Sequence, residues 1–593
     1  MWALPPASKW VNWSDVVVGE VVFGMVLSAG GIKAAAMSTA GVVRGSGASG
    51  YHSIVKSNSS RHSHAGRASA ARRRVALTVT LALPLALLPA LPGHAQFKTL
   101  PAPRPEVNLP TLGDTERETL SLGMERKLGE EIMRDIRRDH DYLDDDPILE
   151  YLNDFGNALV EARPGARGET SFDYGFFAVR DTQLNAFALP GGFIAVHSAL
   201  LLAAQTESEL ASVMSHEIGH VAQRHIARML GQQRQDALIP LAGLVLAALA
   251  SQVGSGGGNA ALGVFAAGQG LAMQRQLNFS RDAEREADRI GFQIMDDAGF
   301  DTSGMVAFFG RMQTASRSYS DLTPAYLLSH PLTTERIADI QARIREMPYR
   351  QRADSLDFHL VRARARVLQD ESSQGLVDAG AMFETQLAQP NRREIAAAQY
   401  GLAFIALKKN DPLKAQTWLA AARATVYPAP NAGVFGMAGA QAPNAILSSM
   451  ALDIMLAPGA AQTPKEALKQ AQAAHGQFPR SRGIARQVAE AMIAAGQLDD
   501  AARYLRDQIQ LYRQEHKLHD VLARTYAAQG KIALQHMELA ESYALRGAML
   551  AALDQLTLAR KAGDASFYDM SVIDAREREW QARRLEEIKE SKK

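Results

Sequence analysis

The apolar positions of this chain change period along its length. From Asp114 to about Arg138 they recur at helical spacing, with acids early and bases late as a helix dipole favours. Asp144-Asp145-Asp146-Pro147 is a start signal for a second helix to about Val160. Between Phe172 and Val196 the pattern becomes strand-like. Runs at 172–179, 185–189 and 193–196, separated by turn residues that include Pro190-Gly191-Gly192, predict a small sheet. Thr206 opens a helix, with Glu209 three positions on as a capping box and Leu210, Val213, Met214 and Val221 on its apolar face. A further helix is predicted from Ser280 to about Ala298, stopped by Gly299, with Ala283, Ala287, Ile290 and Ile294 on one face.

Two apolar stretches, Ala237 to Ala250 and Ala260 to Ala272, flank a Gly-rich turn. Each is too short to span a bilayer alone. They predict either a buried helical hairpin or lid, or a hairpin dipping into a membrane surface. Residues 355–593 are rich in Ala, Leu and Gln and nearly free of strand signals. Gly496 and Gly530 sit 34 residues apart in equivalent turns, with Ala489 and Ala523 seven residues before each. Ala501 and Leu505 follow Gly496, and Ala552, Leu556 and Ala559 follow Gly547, which has Ala540 before it. Asn410 has Ala403 before it and Ala415, Leu419 and Ala422 after. Small residues at these offsets let antiparallel helices pack closely, the tetratricopeptide pattern. Gly547 falls half a period from Gly530, which leaves the phase there open; an irregular helical bundle is the alternative.

A formal net charge of +1 gives no support to a nucleic-acid partner. The absence of cysteine excludes disulfides, thiolate metal sites and a Cys nucleophile, so a transition-metal site must use His, Asp or Glu. Arg72-Arg73-Arg74, the apolar run Val75 to Leu91 and the small residues Gly93 and Ala95 predict an export signal over 71–95, cleaved after Ala95; a membrane anchor is the alternative. Residues 1–70 are read as a non-structural leader and 96–113 as an extended Pro-rich lead-in.

His216-Glu217-Ile218-Gly219-His220 places two imidazoles one turn apart on one helical face, able to grip one ion. Glu217 is then close enough to take a proton from a metal-bound water. The pattern alone leaves a coincidental surface helix open. A catalytic site needs a third ligand, for which Glu284 is the best candidate, with Asp288 one turn on to hydrogen-bond a ligand imidazole. Glu286 competes but lies on another face, and His225, five residues past His220, faces elsewhere on a continuous helix. Arg336 is read either as a cation for a developing oxyanion or as a surface partner of Glu335 or Asp339.

His216-Glu217-x-x-His220 followed by Ser280-Arg281-x-x-Glu284-x-x-Ala287-Asp288 resembles the Ste24/HtpX-type zinc peptidases. Asn185-Ala186-Phe187-Ala188-Leu189-Pro190-Gly191-Gly192 is similar to that family's strand beside the active site, and His330-Pro331 with Arg336 to its His-Pro…Arg element. The resemblance implies an α+β zincin-like metallopeptidase domain over 96–350, followed by an all-α tetratricopeptide-like solenoid over 355–593. It implies one Zn2+ per chain on His216, His220 and Glu284, catalytic roles for Glu217, Asp288, His330 and Arg336, and substrate pairing along Asn185, Ala186, Phe187 and Ala188. A His at the position of His330 can fill the open metal position and hold such an enzyme latent. Export signal, peptidase and array together resemble periplasmic members that combine protease and chaperone roles. That layout implies protein substrates, outer-membrane proteins among them, and outer-membrane assembly machinery docked on the array. It also leaves peripheral membrane contact through 237–272. The competing expectations are a scaffold acting mainly through the array, with a latent metal site, and an integral membrane peptidase.

Overall fold

The computed structural model describes residues 121–167, 172–229, 281–318, 326–327, 330–348, 350–427 and 443–590. The expected leader, export signal, Pro-rich lead-in and 237–272 hairpin lie outside these residues. The described residues fall within one compact unit.

Helix α1 (Leu122–Ile136) is capped by Ser121, and α2 (Asp146–Ala162) by Asp145 with Pro147 in its first turn. The three strands are β1 (Gly175–Val179), β2 (Ala186–Leu189) and β3 (Phe193–His197), in the order β1-β3-β2. β1 pairs parallel to β3 and β2 antiparallel to it, with Phe187 opposite Ala195. A short α3 (Ser198–Ala203) leads to α4 (Glu207–Ala222), which is buried along almost all its length. Helix α5 spans 281–297, followed by α6 (Ser303–Ser318) and α7 (Thr334–Arg345).

Only half of the expected capping box forms on α4. Thr206 Oγ1 accepts from the Glu209 amide at 3.2 Å. The Glu209 carboxylate reaches past Thr206 to the Gln205 amide, 2.6 Å, and to Arg311 of α6. A charge-assisted pair to guanidinium outcompetes one backbone amide.

From Leu356 on the chain is helical. The first helices are α8 (Leu356–Gln369), α9 (Ser373–Gln386), α10 (Arg392–Lys408), α11 (Pro412–Val426) and α12 (Ala445–Leu456). They continue as α13 (Pro464–Gln477), α14 (Arg482–Ala494), α15 (Leu498–Leu511), α16 (His516–Ala528) and α17 (Ile532–Leu545), ending with α18 (Met549–Lys561) and α19 (Phe567–Glu590). The turns at Asn410, Gly496, Gly530 and Gly547 all have positive φ. In each, the next amide donates back to a carbonyl five residues earlier, as in Gln497 to Met492 and Lys531 to Tyr526. This 6→1 closure requires the left-handed conformation. Gly547 closes α17 onto α18, so consecutive hairpins share a helix and the half-period has a structural meaning. Ala403, Ala415, Ala489, Ala501, Ala523, Ala540, Ala552 and Ala559 are all fully buried where these helices touch.

No break in the core separates the two halves. One cluster runs from Leu143 and Ile148 through Met214 and Ile290 to Phe358, Tyr400 and Ile454. α8 is buried on several sides, and Arg362 on it donates to the carbonyls of Leu201 and Leu202 at the end of α3.

The acidic start of α2 also clasps the array. Arg364 meets Asp145 at 2.7 Å, Arg486 meets Asp146 at 2.8 Å, and Lys517 meets Asp146 at 2.6 Å and Asp144 at 2.7 Å. His516 lies 3.2 Å from Asp144 and 3.4 Å from Asp520. Burial opposes charge on His516, but these carboxylates outweigh it and push its pKa up to about 9. A raised folded-state pKa stabilises fully below the unfolded value and is lost as pH rises through the folded one. Between pH 6.5 and 9 the protein is therefore expected to lose about 1–2 kcal/mol more stability than a His516→Asn variant. Thermal unfolding of both across that range checks this; parallel curves would show that the imidazolium contributes nothing.

Candidate metal centre

Two close helix contacts bring the site together. A Cβ on Gly219 of α4 would lie 3.0 Å from the Ala287 carbonyl oxygen of α5, and one on Gly291 would lie 2.9 Å from the His216 amide nitrogen. Both positions have to be glycine for α4 and α5 to approach this closely. The approach sets Glu284 and Asp288, one turn apart on α5, against His216 and His220, one turn apart on α4.

The donor atoms converge. Nε2 of His216 and Nε2 of His220 are 3.0 Å apart. Glu284 places Oε2 at 3.4 Å from the first and Oε1 at 3.4 Å from the second. Metal–ligand bonds of about 2.0–2.1 Å at tetrahedral angles separate donor atoms by about 3.3 Å, so these residues fit a single small ion. His330 joins the group, with Nδ1 2.9 Å from Glu284 Oε1 and Nε2 3.5 Å from Glu217. All five side chains are buried or nearly so.

Electrostatics favour a cation here. Burial opposes ionisation of Glu284, but His330, His216 and His220 outweigh it and hold its carboxyl well below the usual range. Burial likewise opposes charge on His216, yet Asp288 and Glu284 push its pKa up to about 9. Burial holds His220 well below its ordinary value. Burial also pushes the Glu217 carboxyl up, against His330 and His216. Asp288 Oδ1 lies 3.0 Å from His216 Nδ1, on the side of the ring away from the other donors. A neutral ring with its proton on Nδ1, facing that carboxylate, would leave the Nε2 lone pair for a metal.

β2 lies beside Glu217. The Asn185 carbonyl accepts from the His197 amide, and pairing with β3 alternates from there, so Ala186 and Ala188 turn their backbone groups to the edge away from β3, which no described strand covers. The Ala188 amide accordingly faces the Glu217 carboxylate, whose two oxygens are buried without a hydrogen-bond partner. Ala186 and Asn185 are buried, and Phe187 stacks edge-on against His197.

Arg336 is not at the surface, and Glu335 and Asp339 are not its partners. It is 4% exposed and grips Asp288 with two donors, at 2.6 and 2.7 Å. Its Nη1 reaches Glu284 Oε2 and the Pro331 carbonyl, at 2.7 and 2.8 Å. Asp339 instead pairs with Arg343.

A model of peptidase family M48 matches residues 151–344, the stretch that holds every one of these side chains. The Escherichia coli (strain K12) beta-barrel assembly-enhancing protease is 31% identical over 468 residues, 79% of this chain and 90% of that protein. The chain belongs to peptidase family M48. It is a metallopeptidase of that family with a helical array after the catalytic part. A Vibrio cholerae counterpart of the same description is 38% identical over 276 residues, 46% of this chain and 54% of that protein, so this match spans about half of the relative's length. The Schizosaccharomyces pombe mitochondrial metalloendopeptidase OMA1 is 33% identical over 174 residues, 29% of this chain and 48% of its own. The solved tetratricopeptide protein YrrB, described as having an unusual peptide-binding site, aligns with 34% of this chain and 93% of its own at 18% identity. Its TM-score of 0.23 is too low to carry weight.

Against this M48 framework, reading α4 as one continuous helix misplaced His225. α4 ends at Ala222, and Arg224 takes a left-handed φ of 51°. The chain turns there and swings His225 back, so its Nδ1 lies 2.8 Å from His220 Nδ1. Glu286 is no competing ligand; it holds His225 Nε2 at 3.2 Å and Arg228 at 2.7 Å. Arg224 is not glycine, so no local signal marks this reversal. Tyr326, 1% exposed and with its ring 4.7 Å from that of His330, is a second neighbour of the site that the motifs do not contain.

Proposed function

We propose that this chain is a periplasmic zinc metalloendopeptidase that cleaves misfolded or stalled envelope proteins and so supports outer-membrane protein assembly. One observation carries the reading: His216, His220 and Glu284 converge with the spacing of a tetrahedral metal, and Glu217 lies beside them. The name of the Escherichia coli relative supports the setting. In this reading residues 1–70 are a leader, 71–95 an export signal, 96–350 the peptidase and 355–593 the array. The array receives the assembly machinery, and 237–272 makes any peripheral membrane contact. Among the described residues no helix is long and apolar enough to cross a membrane.

Zn2+, when bound by His216, His220 and Glu284, supplies Lewis acidity and lowers the pKa of the attacking water. The chain's residues do the rest. A substrate strand pairs along the free edge of β2 at Ala186 and Ala188, which presents its carbonyl near Glu217. Glu217 takes a proton from the water as oxygen adds to the carbonyl carbon, then gives it to the amide nitrogen as the C–N bond breaks. Asp288 orients His216, and Arg336 holds Asp288 and Glu284 in place.

His330 stands between Glu284 and Glu217, where it closes the site at rest. The full chain is expected to cleave an unfolded outer-membrane β-barrel protein, to stop when zinc is chelated and to recover when zinc is returned. His330→Ala is expected to cleave several-fold faster. Undiminished cleavage after complete metal removal would sink the metallopeptidase reading. Slower cleavage by His330→Ala with zinc retained would make His330 a stabiliser of the transition state instead.

A further inference from the structure

His220 has a partner that the ligand set does not explain. Its Nδ1 lies 2.8 Å from Nδ1 of His225. His225 Nε2 lies 3.2 Å from Glu286 Oε2, and Arg228 Nη2 meets the same oxygen at 2.7 Å. His225 is only 5% exposed, so water does not satisfy this ring in place of its neighbours.

Two imidazole nitrogens in contact share one proton: one donates and the other accepts. A ligand nitrogen needs its lone pair, so Nε2 of His220, which faces His216 and Glu284, carries no proton. The single proton of neutral His220 is then on Nδ1 and points at His225. His225 accepts on its own Nδ1 and carries its proton on Nε2, where it donates to the Glu286 carboxylate. One carboxylate at the end of the chain thus assigns every proton in it.

We infer that His225 and Glu286 are positioning residues that fix the ligating tautomer and ring orientation of His220, as Asp288 does for His216. The inference rests on the metal-centre reading above. The two supports differ in build: Asp288 acts directly from α5, whereas Glu286, on another face of α5, reaches His220 through an interposed ring. The backbone is shaped for this. Left-handed φ is strained at a non-glycine residue, and Arg224 adopts it one residue before His225. Arg224 is held there by Glu125 of α1, 2% exposed, at 3.1 Å.

The test compares full chains that all carry Glu217→Gln, so that none digests itself, in competition with a chromophoric chelator for Zn2+. His225→Asn keeps an acceptor oxygen near the position of Nδ1; His225→Leu keeps bulk and loses the acceptor. The leucine variant is expected to bind Zn2+ about 10–100-fold more weakly than the parent, and the asparagine variant within about threefold of it. Glu286→Gln, which leaves the packing around His225 untouched, is expected to weaken binding by about tenfold and covers the case in which the leucine chain does not fold. Leucine and glutamine variants that both bind Zn2+ as tightly as the parent would overturn the inference while leaving the metal centre standing. A parent chain that binds no Zn2+ would overturn both.

Discussion

Glu217→Gln is expected to bind metal as the parent does and to cleave protein substrate about 10²–10⁴-fold more slowly. The substitution changes one atom. Glu217 is not among the atoms that converge on the ligand position, so the amide does not disturb His216, His220 or Glu284. It does remove a carboxylate beside them whose two oxygens are buried, without a hydrogen-bond partner and able to accept a proton. Turnover of an unfolded β-barrel protein, with metal content read by native mass spectrometry, gives both halves of the result. Unchanged turnover would remove Glu217 from the mechanism. The same variant separates enzyme from scaffold: if it restores envelope integrity to a strain lacking the protein, the array acts without proteolysis.

Arg336→Met is expected to lower stability by about 3–5 kcal/mol. The guanidinium is buried against both Asp288 and Glu284, and methionine fills its volume without its charge. Two buried carboxylates one turn apart on α5 then lose the charge that they share. Metal binding is expected to weaken at least tenfold, because Asp288 no longer stays aligned on His216. Arg336→Lys is expected to recover little, since one ammonium cannot replace a two-donor grip on Asp288 together with contacts to Glu284 and Pro331. Chemical unfolding and zinc titration of the three chains measure this. A methionine variant as stable as the parent that has lost only turnover would return Arg336 to the role of oxyanion partner.

Much of the fold is legible because its causes are local. Asp145 and Thr206 each cap the helix they precede, and each is readable from a few residues; the first helix starts after Ser121 and not at Asp114. The turns at Gly496 and Gly530 announce themselves because only a left-handed residue closes them. The candidate metal ligands are legible for the same reason. His216 and His220 share a helical face through their spacing alone, as Glu284 and Asp288 do, and each pair needs only the other pair opposite it.

Short-range signals therefore define a set of rigid pieces: capped helices, alternating strands, a 34-residue repeat, and two helices each carrying a pair of candidate metal-site side chains. The tertiary structure decided how those pieces face one another. It turned Arg336 inward onto Asp288, redirected Glu209 to Arg311, and joined the start of α2 to Arg486, His516 and Lys517 more than 300 residues away. It also reversed the chain at Arg224 so that His225 meets the ligand it had been read as facing away from. The physical reason is common to all of these. A long charged side chain or a left-handed arginine has no preferred partner within its own turn of helix; burial beside an opposite charge selects one, and only packing brings that charge near.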